Sequence, residues 1–193
     1  PVPLPVPAIG IPEFTMRPFA SLWNNLPKGI AAVHPRPFEF YGQNQGLVLY
    51  RTTLVGRKSG KLVVTDLHDF ATVFVDGALV GTIDRRLGEK GLELPRASTA
   101  TPVLEILVEG TGHINFAQEM IDRKGITDRV TLSGMTLFNW EVHLLPLKSS
   151  WVTSLRADVA RRAPSAGQAT ADRTPVRPGH FFRGEFSLDK PAD

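Results

Sequence analysis

Glu105 and Glu109 are the first residues in this sequence whose types could do chemistry, because paired carboxylates serve as acid, base or nucleophile in glycoside hydrolysis. Both fall in the run Val103-Leu104-Glu105-Ile106-Leu107-Val108-Glu109, which reads as a strand. Four residues at ~3.4 Å each set them ~13 Å apart, against ~5.5 Å for retaining and at most ~9.5 Å for inverting chemistry. The pair fails on distance, so each is expected to be structural or on the surface. The five histidines, His34, His68, His113, His143 and His180, are scattered, none forms an i, i+4 pair, and cysteine is absent. No metal site and no cofactor is expected from them. His68-Asp69 suggests part of a hydrolase triad, but no Gly-x-Ser-x-Gly elbow supplies a nucleophile. Gly110-Thr111-Gly112 holds two glycines of a dinucleotide fingerprint without the third or a flanking helix, and reads as a turn.

Aromatic rings are the better lead. A sugar offers C–H patches to a ring face and hydroxyls to polar groups, and Tyr50, Phe116 and Trp140 are the candidates. Alternation along its strand assigns Trp140 to the core. Phe116 follows the irregular Gly112-His113-Ile114-Asn115 and is expected on a loop.

The elements that must position these residues are strands. Gly46 to Leu54, Lys61 to Leu67, Val103 to Val108 and Val130 to Leu132 are short and rich in β-branched or aromatic residues. Phe70 to Val75 and Ala78 to Ile83 flank Asp76-Gly77, two residues that tolerate the positive φ of a type I′ hairpin turn. In Leu137 to Leu147, Phe138, Trp140, Val142 and Leu144 share one face, and Asn139, Glu141 and His143 the other. At least seven such strands, with one short helix candidate at Phe116 to Ile121, predict an all-β sandwich.

The 193 residues, 42% hydrophobic and 21% charged, suit a soluble globular protein of one domain with extensions, or of two small domains. A net charge of +3 is too small to argue for nucleic acid, and no apolar run reaches the ~20 residues of a membrane span. The excess lies between Trp151 and His180, where five arginines meet two aspartates, the composition of a solvated linker. Residues 1 to 35 are proline-rich and expected to be irregular, although Phe14, Met16, Phe19, Leu22, Trp23 and Leu26 suggest packing along a neighbouring surface. The opening Pro1-Val2-Pro3-Leu4-Pro5-Val6-Pro7 lacks a Met and a signal-peptide block, and reads as the inside of a longer chain. The absence of cysteine fits a bacterial periplasmic or secreted protein, the favoured expectation, and also a cytoplasmic one.

Several segments resemble one family in the same order. Phe38 to Thr53, with its Gly46-Leu47-Val48-Leu49-Tyr50-Arg51-Thr52-Thr53, resembles a strand of the family 35 β-galactosidases. Asp69 to Gly77, Leu107 to Phe116, Lys124-Gly125-Ile126, Trp140-Glu141-Val142 and Leu145-Pro146-Leu147 resemble its following motifs. Leu22-Trp23-Asn24-Asn25-Leu26-Pro27 is similar to the connector after that family's catalytic barrel, and Phe181 to Phe186 to the first strand of its last β-domain. The resemblance implies a jelly-roll-like, galactose-binding-type sandwich over residues 36–148. It further implies a connector over 1–35, a linker over 149–179, and the first strand of another β-domain over 180–193.

It implies a parent that hydrolyses terminal β-D-galactosides with retention, using two glutamates on a (β/α)8 barrel that no segment here matches. This chain is then expected to be non-catalytic, to dock on that barrel beside the second β-domain, and to shape the rim of the galactoside pocket. Phe116, with Asn115 and His113, is the rim candidate; the family's usual Tyr at this position would carry a hydroxyl that Phe116 lacks. The alternatives are a free-standing galactose-binding module and a structural oligomerisation domain.

Overall fold

The structure, a computed structural model, describes residues 10–157 and 178–188. Chain order gives β1 (Arg17–Ser21), β2 (Ile30–Ala32), β3 (Leu47–Thr53), β4 (Gly60–Val64), β5 (Leu67–His68), β6 (Phe70–Val75) and β7 (Ala78–Asp84). There follow β8 (Gly91–Leu94), β9 (Val103–Glu109), β10 (Gly125–Ile126), β11 (Val130–Leu132), β12 (Met135–Thr136), β13 (Trp140–Leu145), α1 (Ser149–Ser154) and β14 (His180–Arg183). Two compact units result: one spans Leu26–Ser154, and the other joins residues 10–25 with residues 155–157 and 178–188.

The larger unit is an antiparallel sandwich, as expected from the strand-rich pattern. Its six-stranded sheet has the order β2-β13-β3-β9-β6-β7, and its four-stranded sheet the order β12-β11-β4-β8. Alternation turns Val48 and Tyr50 of β3, Ile106 and Val108 of β9, Ala71 and Val73 of β6, and Trp140 and Val142 of β13 toward Leu62, Val64, Val130 and Leu132 of the other sheet. Burying each valine, leucine or isoleucine among them is worth roughly 1.5–3 kcal/mol, so this face sets the register of the central strands. Asp76 at φ 49° and Gly77 at φ 74° form the two-residue turn between β6 and β7, the I′ geometry that Asp-Gly favours. Gly125 has φ 98°, and a Cβ there would stand 2.5 Å from Tyr50 Oη and 2.7 Å from the Phe38 ring, so only glycine fits against this part of the core.

Three local expectations change. The helix expected over Phe116 to Ile121 shortens to one 3-10 turn, Gln118–Met120, because Ala117 takes φ 74° and leaves the helical region. Lys61 to Leu67 is split: β4 ends at Val64, and Asp66 at φ 57° turns the chain into β5. On β13 the face expected to be polar is only partly open: Asn139 and Glu141 are exposed, whereas His143 is 4% exposed.

In the smaller unit, β1 lies within the stretch expected to be irregular. It pairs with β14, Ser21 opposite His180 and Arg17 opposite Arg183, with a register shift between Pro18 and Ala20. The strand expected at His180 therefore finds its partner near the other end of the sequence. The Phe14 and Phe186 rings stack with centroids 5.2 Å apart. The opening Pro1 to Pro7 and most of the arginine-rich linker lie outside the described residues. No helix of the described residues is long and apolar enough to cross a membrane.

Candidate functional site

Between β9 and β10 the chain runs from Gly110 to Lys124 with no strand, and this loop carries all three rim candidates. Its two ends close on one buried ionic cluster. Asp69, between β5 and β6, accepts through Oδ2 from Thr111 N (2.9 Å), Thr111 Oγ1 (2.8 Å) and Lys124 Nζ (2.9 Å). Its Oδ1 accepts from Arg85 Nη1 at 2.9 Å. Asp122 Oδ2 accepts from Lys124 Nζ at 2.5 Å, and Asp122 Oδ1 from Arg85 Nη1 at 3.1 Å. His68 bridges outward, with Nδ1 2.7 Å from Asp122 Oδ1 and Nε2 3.0 Å from Asp66 Oδ1.

The electrostatics follow from those partners. Burial opposes ionisation of Asp69, but hydrogen bonds from Lys124, Thr111 and Arg85 outweigh it and hold the carboxyl below the usual carboxylate range. Asp122 is held low in the same way, burial being outweighed by Lys124, His68 and Arg85. Lys124 keeps its proton: burial works against it, and Asp122 and Asp69 more than compensate. His68, Asp69 and Asp122 place ligand-type atoms within 4.8 Å of one another, a spacing a metal ion could use. The donor set does not fit one, because the Lys124 ammonium and the Arg85 guanidinium already neutralise both carboxylates. This cluster is a clamp on the loop.

The loop's apex is the opposite. Phe116 is 81% exposed, Ile121 87% and Met120 59%, and Ile114 and Asn115 are exposed as well. His113 does not share that freedom: its ring lies between two backbone carbonyls, Nδ1 3.1 Å from Asp122 O and Nε2 2.9 Å from Asn44 O. It braces the loop against the 3-10 turn Phe38–Tyr41 and the residues after it. In the same turn, Glu39 accepts from Lys124 N at 3.0 Å.

The remaining candidates separate. Tyr50 is fully buried, donates to Arg36 O at 2.7 Å, and has its phenol pushed up by burial, so it is core and not a sugar platform. Trp140, 2% exposed with Nε1 donating to Leu137 O, is core as alternation requires. Glu105 is 6% exposed and pairs with Arg51, while Glu109 is exposed at the end of β9. His143 lies against Pro27 O at 2.8 Å, and His34 packs edge-on against Phe138. His180 is half-buried in β14.

What the sequence does not disclose is the clamp, whose partners stand 54 and 55 residues apart (His68 with Asp122, Asp69 with Lys124). Asp69 and Lys124 each open a segment that carries the family resemblance, and that is the one signal pointing to them.

Residues 35–148 match the domain described as the β-galactosidase first all-β domain. The β-galactosidase of Xanthomonas manihotis is 39% identical over 149 residues, covering 77% of this chain and 25% of that protein. β-Galactosidase 17 of Arabidopsis thaliana is 33% identical over 175 residues, 83% of this chain and 25% of that protein. The human β-galactosidase-1-like protein 2 is 28% identical across 100% of this chain and 30% of its own length. The chain spans about a quarter of the length of these relatives.

Proposed function

The chain belongs to the β-galactosidase family, with residues 35–148 as its first all-β domain, and from that premise we propose that it docks on a catalytic domain and forms one side of the galactoside pocket. The partner is a (β/α)8 barrel of the family 35 type, whose two glutamates cleave terminal β-D-galactosides with retention. The galactose-binding-type sandwich over 36–148 supplies the frame, and the segment from 180 begins a second β-domain.

The observation that supports this reading is the contrast within the loop 110–124. Asp69, Asp122 and Lys124 fasten both its ends, yet it holds Phe116, Met120 and Ile121 in solvent. Ordering a loop costs about 1–2 kcal/mol per residue, and large apolar side chains on a fixed loop mark a surface that meets something else. Phe116 offers a ring face without a hydroxyl, so its contact with a sugar or a neighbouring domain is apolar.

The chain alone is expected to leave a chromogenic β-galactoside intact, because Glu105 is locked to Arg51 and stands ~13 Å along the strand from Glu109. In a protein that joins the chain to a β-galactosidase barrel, Phe116→Asp should raise KM about tenfold with kcat little changed, as loss of uniform binding does. Turnover by the purified chain, or an unaltered KM in Phe116→Asp, would overturn the reading.

A further inference from the structure

Tyr50, Ile106 and Val142 face the core, so their neighbours Arg51, Glu105 and Glu141 face outward from the six-stranded sheet. The register places Ala31, Glu141, Arg51 and Glu105 in one row across β2, β13, β3 and β9. One row further along, Asn139 donates its backbone N–H to Val33 O, and Thr53 stands opposite Val103. Ala31 is short where Glu141 and Arg51 are long. The step between them leaves an open cleft of ≈ 430 Å³, within the ~300–1,000 Å³ of small-molecule sites.

Its polar groups are fixed before anything binds. Arg51 gives Nε (2.9 Å) and Nη2 (2.8 Å) to Glu105, whose side chain is 8% exposed, so the guanidinium plane is set from below. Nη1 keeps only long contacts, 3.4 Å to Glu141 Oε2 and 3.4 Å to His143 Nε2. A carbonyl only accepts, so His143 donates from Nδ1 to Pro27 O, and its Nε2 is left to face Arg51. Glu141 lies over Gly29, where a Cβ would come within 2.3 Å of Glu141 Cγ; the missing side chain is the space the carboxylate occupies. A half-exposed carboxylate and a donor with spare capacity thus meet at one wall of the cleft, while Ala31, Val33 and Val103 supply apolar surface.

The charges select the occupant. Glu105 and Glu141 outnumber Arg51, which disfavours an anion, and the central guanidinium disfavours a cation. A neutral ligand with adjacent donors and acceptors and an apolar face suits both. We propose that this cleft is a saccharide site, in which one hydroxyl accepts from Arg51 Nη1, its neighbour donates to Glu141, and the ring's C–H face rests on Ala31 and Val103. Val103 opens β9 and Glu109 closes it, so the site lies ~20 Å along that strand from the loop proposed to border the catalytic pocket. It stands apart from the docking reading: either can fail without the other.

Titration of the isotopically labelled chain with methyl β-D-galactoside and methyl β-D-glucoside, followed by amide chemical shifts, tests the site. Saturable shifts are expected at 31–33, 51–53 and 139–141, with millimolar affinity. Glu141→Gln, which keeps the shape and removes the charge, should weaken binding at least tenfold. Thr53→Trp, which fills the cleft, should abolish it, and Phe116→Ala should leave it unchanged. The spectrum of each variant without sugar reports whether it is folded. No saturable shift with either sugar, shifts confined to 110–124, or unaltered affinity in Glu141→Gln would overturn the assignment.

Discussion

Two ionic clusters both pair carboxylates with cations and do opposite things with them. At the base of the loop 110–124, Asp69, Asp122 and Lys124 have side chains 8%, 3% and 3% exposed, and every carboxylate oxygen has at least one close donor. On the outer face of the six-stranded sheet, Arg51 is 29% exposed and Glu141 49%, with their mutual contact stretched to 3.4 Å. A closed cluster has spent its hydrogen-bonding capacity on the fold. The second leaves a donor and an acceptor with only long contacts at the wall of a cleft. Charge alone therefore does not mark a ligand site; the number of partners already satisfied does.

The sharpest way to break this comparison is to remove one charge from each cluster. Lys124→Met leaves Asp69 and Asp122 buried side by side with only Arg85 to share, and is expected to cost about 3–5 kcal/mol. Glu141→Gln, on the open cluster, should cost less than about 1 kcal/mol, as an exposed pair does. Urea unfolding of the two variants measures both. Equal losses would mean that the two clusters are not different in kind.

Acid should separate them next. Asp69 and Asp122 are held low for the reasons given above, and Asp66 is held low chiefly by its hydrogen bond from Thr127. A carboxyl whose folded value lies below its unfolded one stabilises the fold fully above the unfolded value, near 3.9, and loses that contribution as pH falls through the folded value. Stability should therefore decline below about pH 4, with amides near 110–124 exchanging first. Asp122→Asn should flatten that decline, and a profile identical to that of the unaltered chain would count against the clamp as its source.

How much of this was legible beforehand depends on how far apart the partners are. Asp76-Gly77 announces its hairpin because both requirements of the turn sit in two adjacent residues. Trp140 reads as core because alternation is local, and Phe116 reads as exposed because glycine and asparagine precede it. The pairing of β1 with β14 has no local signature, since Arg17 and Arg183 meet across the whole chain. Tyr50 looked available for sugar by type alone, yet its strand position turns it inward under Gly125. His143 fell on the face expected to be polar, and only the backbone of Pro27, 116 residues away, shows why it is buried there. The clamp was hidden for the same reason, as burial and charge pairing at long range leave no periodicity to read.

The smallest effect expected tests the comparison inside a single loop. Thr111 and Phe116 are five residues apart, but Thr111 Oγ1 donates to Asp69 Oδ2 at 2.8 Å whereas the Phe116 ring is 81% exposed. Thr111→Val keeps the shape and deletes one charge-assisted hydrogen bond, so it should cost about 1.5–3 kcal/mol. Phe116→Ala removes a far larger side chain, yet its stability should stay within about 0.5 kcal/mol, because little of that ring leaves water when the chain folds. Thermal unfolding of the two variants decides the point. If Phe116→Ala proved the more damaging, the ring would be serving this fold, and its exposure would no longer speak for a partner.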